Sequence, residues 1–179
     1  AHRYGHAADI SLDRDRRAAS PLSRNVRDVY DAVADDRNVL VVATLVNVLN
    51  ATGLPVERDL LDTLALVDGG PEADDVGTAM DVLEGRVLFP DENGMELVHD
   101  EWSHRFLMRL VEEREDASAH RIFAAAANPL FRLVTDPGLR EDLVRYRQGD
   151  APTVAAFDDS PDHWRDVVVD RVYDLGRDS

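Results

Sequence analysis

Residues 39–49 form an apolar run of 11 residues that contains one asparagine, Asn47. A membrane-spanning helix needs about 20 apolar residues, so this run is too short to cross a bilayer and predicts a buried core segment. Its valines are also typical of a central strand, but its length favours a helix. The run therefore predicts a core helix over about residues 38–51, apolar on nearly every side.

Apolar spacing and turn residues on either side of this run predict further helices and a β-hairpin. The helices are expected at about residues 25–34, 55–66, 72–84 and 100–115, with Pro55 in the first turn of its helix. Two short strands, 86–89 and 95–98, flank the loop Pro90–Gly94, which contains an Asn-Gly pair. Asp36 and Asp100 are placed to cap the helices that follow them, and Gly85 to end the helix before it.

The order of helix, short helix, turn, short helix and hairpin is that of a winged helix-turn-helix. We therefore predict a mainly α fold, a winged helix-turn-helix with one small β-hairpin, followed by a helical C-terminal region. The expected divisions are a linker over residues 1–22, the winged-helix domain over 23–115 and the helical region over 116–179. In the last region Asn128-Pro129 is expected to break the helix, and Asp136-Pro137-Gly138 to start another.

Acidic residues number 36 against 20 basic ones, for a formal charge of −16, and every basic residue is arginine. Such a field repels polyanions such as nucleic acids. The chain has no lysine for a P-loop or a Schiff base, and no cysteine for a disulfide or a thiolate nucleophile. Its 26 aspartates and lack of lysine indicate a halophilic protein, with a GC-rich genome as the alternative explanation.

The sequence shows no signal-peptide pattern, so a cytoplasmic location without membrane association is expected. It begins at Ala1, which favours a piece of a longer protein. His2 and His6 are four residues apart, but no carboxylate between them gives a metalloprotease pattern, so no metal site is expected. No nucleophile motif is present. The chain alone is therefore expected not to be an enzyme and to hold no cofactor.

In a winged helix the second helix of the turn motif enters the major groove of DNA. Here the corresponding helix, 72–84, offers only acidic charged side chains and no basic one. Its carboxylates belong to Glu72, Asp74, Asp75, Asp81 and Glu84. Because base edges and phosphates are bound mainly by Arg, Lys, Asn and Gln, direct DNA binding is not expected.

The segment Leu97-Val98-His99-Asp100-Glu101-Trp102 resembles the end of the winged helix in STAND-class nucleotide-binding NTPases, relatives of the AAA+ machines. In that class a Met-His-Asp-like motif lies between the hairpin and the last helix, and valine stands here in place of methionine. The resemblance covers about residues 1–115. It implies that His99 contacts the β-phosphate of ADP in the complete NTPase, and that Asp100 caps the helix and orients the loop.

The same resemblance implies that the partners are upstream NTPase domains or another protein, with ADP or ATP bound there. The alternative is that Asp100 is an ordinary N-cap and His99 a residue at the end of the hairpin. Two functions follow: a regulatory segment of a signal-transducing switch ATPase, or a stand-alone winged-helix transcription regulator dimerised by its tail. A P-loop encoded upstream of Ala1 would favour the first, and a nearby start codon the second.

Overall fold

The computed structural model of the protein describes residues 21–91, 94–97, 100–159 and 161–177, and over these ranges the chain is mainly helical. The helices are α1 (Pro21–Ala34), α2 (Arg37–Ala51), α3 (Arg58–Leu64), α4 (Ala73–Leu83), α5 (Asp100–Glu113), α6 (Asp116–Thr135), α7 (Pro137–Tyr146), α8 (Pro152–Asp159), α9 (Pro161–Asp166) and α10 (Tyr173–Arg177). Strands β1 (Leu88–Asp91) and β2 (Gly94–Leu97) follow α4, and a π-helical stretch, Val167–Val172, joins α9 to α10. Most of the predicted N-terminal linker, residues 1–20, lies outside the described residues.

Helix α2 is the centre of the core, as its apolar sequence predicts. Residues 39–49 are all buried, and the helix packs against α1, α4, α5 and α6. A carboxylate oxygen of Asp36 accepts hydrogen bonds from the backbone N–H groups of Asn38 (2.9 Å) and Val39 (3.3 Å), which fixes where the helix begins. The core helix and its cap are therefore both confirmed.

The buried side chain of Asn47 gives a test of this core. Its Nδ2 donates to the carbonyl of Ala43 at 2.8 Å, while its Oδ1 has no hydrogen-bond partner within the described part of the chain. An unpaired buried polar atom costs about 1–3 kcal/mol, and leucine has a similar branched shape. We expect Asn47→Leu to raise the free energy of unfolding in urea by about 1–2 kcal/mol.

The matched control is Asn50→Leu on the same helix. Asn50 Nδ2 donates to Ser103 Oγ at 2.8 Å, so this substitution should lower the free energy of unfolding by about 1 kcal/mol. Changes of the same sign in both variants would contradict the assignment of Asn47 as an unsatisfied group.

The β-hairpin is present, with strands shifted from the predicted ranges 86–89 and 95–98. Strands β1 and β2 pair antiparallel, with Leu88 opposite Leu97 and Asp91 opposite Gly94. They extend into the predicted five-residue loop, so that Pro90 lies inside β1. Both strands of a two-stranded ribbon are edge strands, where proline is tolerated. Gly85, with φ +74°, follows α4 as its predicted terminator.

Helix α3 starts later than predicted, at Arg58, and Pro55 is not in its first turn. The reason is the packing of the preceding segment. Leu54 and Val56 are both buried, at 6% and 5% exposure. Alternate residues of an extended chain point to one side, so burying both favours an extended segment before the helix. The other elements of this half begin or end within a few residues of their predicted positions.

The predicted break at Asn128-Pro129 is wrong, because α6 runs without interruption from Asp116 to Thr135 with Pro129 inside it. A proline in a helix interior costs about 3 kcal/mol or more. Here Pro129 and its neighbours Ala126, Ala127 and Leu130 are buried, and α6 packs extensively on α2. Burial of this apolar face offsets the lost hydrogen bond. The predicted helix start at Asp136-Pro137-Gly138 is confirmed, since α7 begins at Pro137 and the Asp136 carboxylate accepts from the N–H of Leu139 at 3.0 Å.

Candidate functional site

The candidate site is the junction between the hairpin and α5. Asp100 is the first residue of α5, which agrees with its predicted position at the start of a helix. His99 lies outside the described residues, and so does Val98. The roles of His99 and Asp100 toward a nucleotide remain those implied by the resemblance. The first two turns of α5, directly after these two residues, are bound by side chains of α1 and α2.

Helix α1 holds the start of α5 from one side. Trp102 is 1% exposed, and its indole N–H donates to Asn25 Oδ1 at 2.7 Å. Arg105 Nη1 donates to Ser23 Oγ at 2.8 Å, one helical turn further along α5. Trp102 also stacks on Phe106, with ring centroids 5.5 Å apart. Two hydrogen bonds therefore hold the first two turns of α5 on α1, while the Trp102–Phe106 stack lies within α5 itself.

The end of α2 holds the same part of α5 from another side. Ser103 is fully buried and accepts the hydrogen bond from Asn50 in the last turn of α2. Helices α1 and α2 therefore both hold the first two turns of α5 through side-chain hydrogen bonds. This arrangement has no local sequence signal, because Asn25 and Asn50 lie 77 and 53 residues from their partners.

Helix α4 presents the second surface of interest. Its buried side consists of Val76, Ala79, Met80 and Leu83, so the opposite side faces outward. That outward side is acidic. The exposed carboxylates on or beside the helix belong to Glu72, Asp74, Asp81 and Glu84. No basic side chain lies within α4.

The C-terminal region is fastened to α3 through Asp59. One carboxylate oxygen of Asp59 accepts the backbone N–H of Thr153 at 2.9 Å, and the other accepts its hydroxyl at 2.6 Å. Thr153 lies in the first turn of α8, so Asp59 serves as a cap supplied by a distant helix. The sequence predicted only that Asp59 lies in the first turn of its own helix, where an acid is favourable. The pairing across 94 residues has no local signal.

Two arginines reinforce this attachment. Arg147 Nη1 donates to the carbonyl of Asp59 at 3.0 Å and to Thr63 Oγ1 at 2.9 Å. Arg171 Nη1 donates to the carbonyl of Thr52 at 3.0 Å, just after the end of α2. The C-terminal region is thus bound to α3 through Arg147 and Thr153, and to the residue after α2 through Arg171.

The placement of the histidines bears on possible metal binding. His104 and His120 are exposed on α5 and α6, whereas His2 and His6 lie outside the described residues. Among the described residues, no group of three or more histidine, cysteine or acidic side chains is arranged to hold a metal ion. None of the helices in the same part of the chain has the length and apolar character needed to cross a membrane.

Comparison of the chain with protein-family models, with curated proteins and with solved structures gave no match. Function is therefore inferred from the residues and contacts of this chain.

Proposed function

We propose that this chain is the winged-helix and helical segment of a STAND-class switch ATPase, and that it acts through contacts with other protein domains. Helices α2, α3 and α4 followed by the β1–β2 hairpin supply the order of parts that a winged helix requires. Helix α5 then follows the hairpin where the class has its motif and its last helix. The partners are the upstream NTPase domains or another protein, and ADP or ATP is bound there.

The observation that carries a role in protein contacts is the acidic outer side of α4. This helix holds the position of the DNA-reading helix in a winged helix. In a DNA complex its exposed carboxylates, such as Asp74 and Asp81, would face the phosphates, which repel anions. They would also face base edges, which are read mainly by hydrogen-bond donors. An outward acidic face suits a complementary protein surface and opposes a polyanion.

The contacts between the C-terminal region and α3 support the same proposal. In DNA-bound helix-turn-helix proteins the first helix of the motif crosses the sugar–phosphate backbone. Here the first turn of α3 is engaged by Thr153 and Arg147, which bond to Asp59. A DNA backbone that crossed α3 would therefore have to pass beside the C-terminal region, which already contacts the first turn of this helix.

The hairpin–α5 junction supports the nucleotide-sensing part of the proposal. An imidazole at a helix start lies beside exposed backbone N–H groups, a setting that favours a phosphate. The helix start itself is held by Asn25 and Asn50 through Trp102 and Ser103. In this proposal His99 contacts the β-phosphate of ADP and stabilises the closed state, and Asp100 orients the loop.

Binding to duplex DNA tests the role of α4. We expect the 179-residue chain to give no sub-micromolar shift of duplexes of about 30 base pairs, at the lowest salt at which circular dichroism shows it folded. The reason is the repulsion between the carboxylates of α4 and the phosphates. A sub-micromolar, salt-sensitive shift by the wild-type chain would favour the transcription-regulator alternative.

A pair of charge-reversal variants makes this test specific to α4. Asp74→Arg/Asp81→Arg should strengthen residual DNA binding more than Asp28→Arg/Asp31→Arg, which makes the same net-charge change on exposed positions of α1. Equal effects of the two variants would mean that α4 is not the face toward the DNA.

A further inference from the structure

An apolar groove lies between the second half of α5 and the first half of α6. The two helices are joined by only Arg114 and Glu115; each packs extensively on α2, while they touch each other little. The space left between them has a volume of about 260 Å³. Its walls include Leu110, Val111, Ala119 and Phe123, and its rim includes Asp116 and His120.

The shape of the groove, which lies open between two helices, suits side chains of a protein partner. Its volume of about 260 Å³ is at the lower limit of the roughly 300–1,000 Å³ typical of sites for cofactors and drug-sized ligands. A groove between two helices of this size suits one or two apolar side chains of a third helix, the mode in which an amphipathic helix lies along a hydrophobic groove.

An exposed methionine extends the apolar surface beyond the groove. Met108 is 58% exposed and lies one turn before Val111 on α5. Methionine is flexible and polarisable, and it is common at surfaces that bind helices. Val111 and Phe123 are only partly buried, so they add apolar area that the described residues leave accessible.

The charge around the groove specifies the chemistry of the partner. Glu112, Glu115 and Asp116 are exposed at the end where α5 passes into α6. The nearby arginine of the connection, Arg114, is directed to α1, where it donates to the carbonyl of Ala34 at 2.7 Å. Asp116 lines the groove, and Glu112 and Glu115 are exposed on the adjoining end of α5 and the connection, so basic side chains on the partner would complement this end.

We infer that this groove binds an amphipathic helix of a partner protein, with apolar anchors in the groove and basic side chains beside Glu112, Glu115 and Asp116. The inference rests on the proposed function, because both assign the chain's role to protein contacts. Its test uses neither DNA nor nucleotide, so its failure is distinguishable from a failure of that proposal.

The probe is a synthetic helical peptide of about 18 residues, long enough to support a helix, with leucines along one side and arginines flanking them. A second peptide keeps the leucines and carries glutamates instead. Titrated into the ¹⁵N-labelled full chain, the arginine peptide should shift the amide resonances of residues 107–123, and the glutamate peptide should bind about tenfold more weakly. At 1 M salt, where the Debye length is about 3 Å, the shifts along the groove should persist while general attraction to the acidic chain is screened.

Two variants and a control decide whether the groove is the site. Val111→Asp should weaken binding of the arginine peptide by about tenfold, and Phe89→Asp, on an exposed apolar side chain of β1, should leave it unchanged. Glu112→Arg/Glu115→Arg changes only exposed positions, so it keeps the fold and should reverse the preference between the two peptides. Shifts spread over other acidic surfaces, an unchanged affinity in both groove variants, or self-association of the chain through the groove would each overturn the inference.

Discussion

Arg140→Met is expected to lower the free energy of unfolding by about 3 kcal/mol, because this guanidinium satisfies several groups at once. The side chain is 2% exposed. Its Nη1 donates to the carbonyls of Leu133 (2.8 Å) and Val134 (2.7 Å), which belong to the last turn of α6. Its Nε and Nη2 donate to the Asp158 carboxylate at 2.9 and 2.8 Å.

Most of this loss in the free energy of unfolding is expected to arise at the end of α6. Methionine fills much of the same space but donates no hydrogen bond, so two carbonyls lose their donor in a buried place. Asp158 is half-exposed and can return to water, so it adds less. Through this one residue α6, α7 and α8 are held together, and its loss should loosen the C-terminal region as a unit.

The control is Arg145→Met on the same helix. Arg145 is 69% exposed, and its ion pairs with Glu141 and Asp142 are on the surface. Exposed pairs contribute about 0–1 kcal/mol, so this variant should unfold within about 0.5 kcal/mol of wild type in urea. A similar loss in both variants would mean that Arg140 does not act through the buried carbonyls.

Local patterns predicted the elements of the first half of the chain well, because their causes are local. The apolar side chains of residues 39–49 avoid water only when they are buried, which favours a core helix. Asp36 caps α2 through hydrogen bonds to residues two and three positions away. The hairpin followed from two apolar stretches about an Asn-Gly turn. Each of these signals lies within a few residues of the structure it specifies.

The errors arose where packing between distant segments decides the local conformation. Pro129 ordinarily interrupts a helix, and here burial of its neighbours against the core keeps α6 continuous. Pro55 is well suited to a first helical turn, but Leu54 and Val56 are buried in an extended segment. Neither outcome can be deduced without knowing which helix lies opposite.

The contacts around the candidate site were beyond sequence reasoning for the same reason. Asp59 has the appearance of an ordinary first-turn acid, yet its partner is Thr153, 94 residues later. The buried bond from Trp102 to Asn25 spans 77 residues. The resemblance predicted roles for His99 and Asp100. The hydrogen bonds that hold the start of α5 are visible only in the structure.

The largest functional effect is expected for His99→Ala in the complete NTPase in which we place this chain. A hydrogen bond to a charged phosphate contributes about 1.5–3 kcal/mol, so its loss should accelerate ADP release by about 10- to 100-fold. Basal activity should rise with it, because the substitution removes the contact that we propose stabilises the closed state. In this chain alone the same substitution should change the free energy of unfolding by no more than about 1 kcal/mol, because the proposal directs the imidazole toward the NTPase domains.

The direct measurement is the dissociation rate of a fluorescent ADP analogue from the complete protein, compared among wild type, His99→Ala and His104→Ala. His104 is an exposed histidine one turn into α5, so its variant controls for the loss of an imidazole near the junction. The proposed function predicts about 10- to 100-fold faster release from His99→Ala and a wild-type rate from His104→Ala. Equal release rates from wild type and His99→Ala would contradict it and leave His99 as a structural residue at the end of the hairpin.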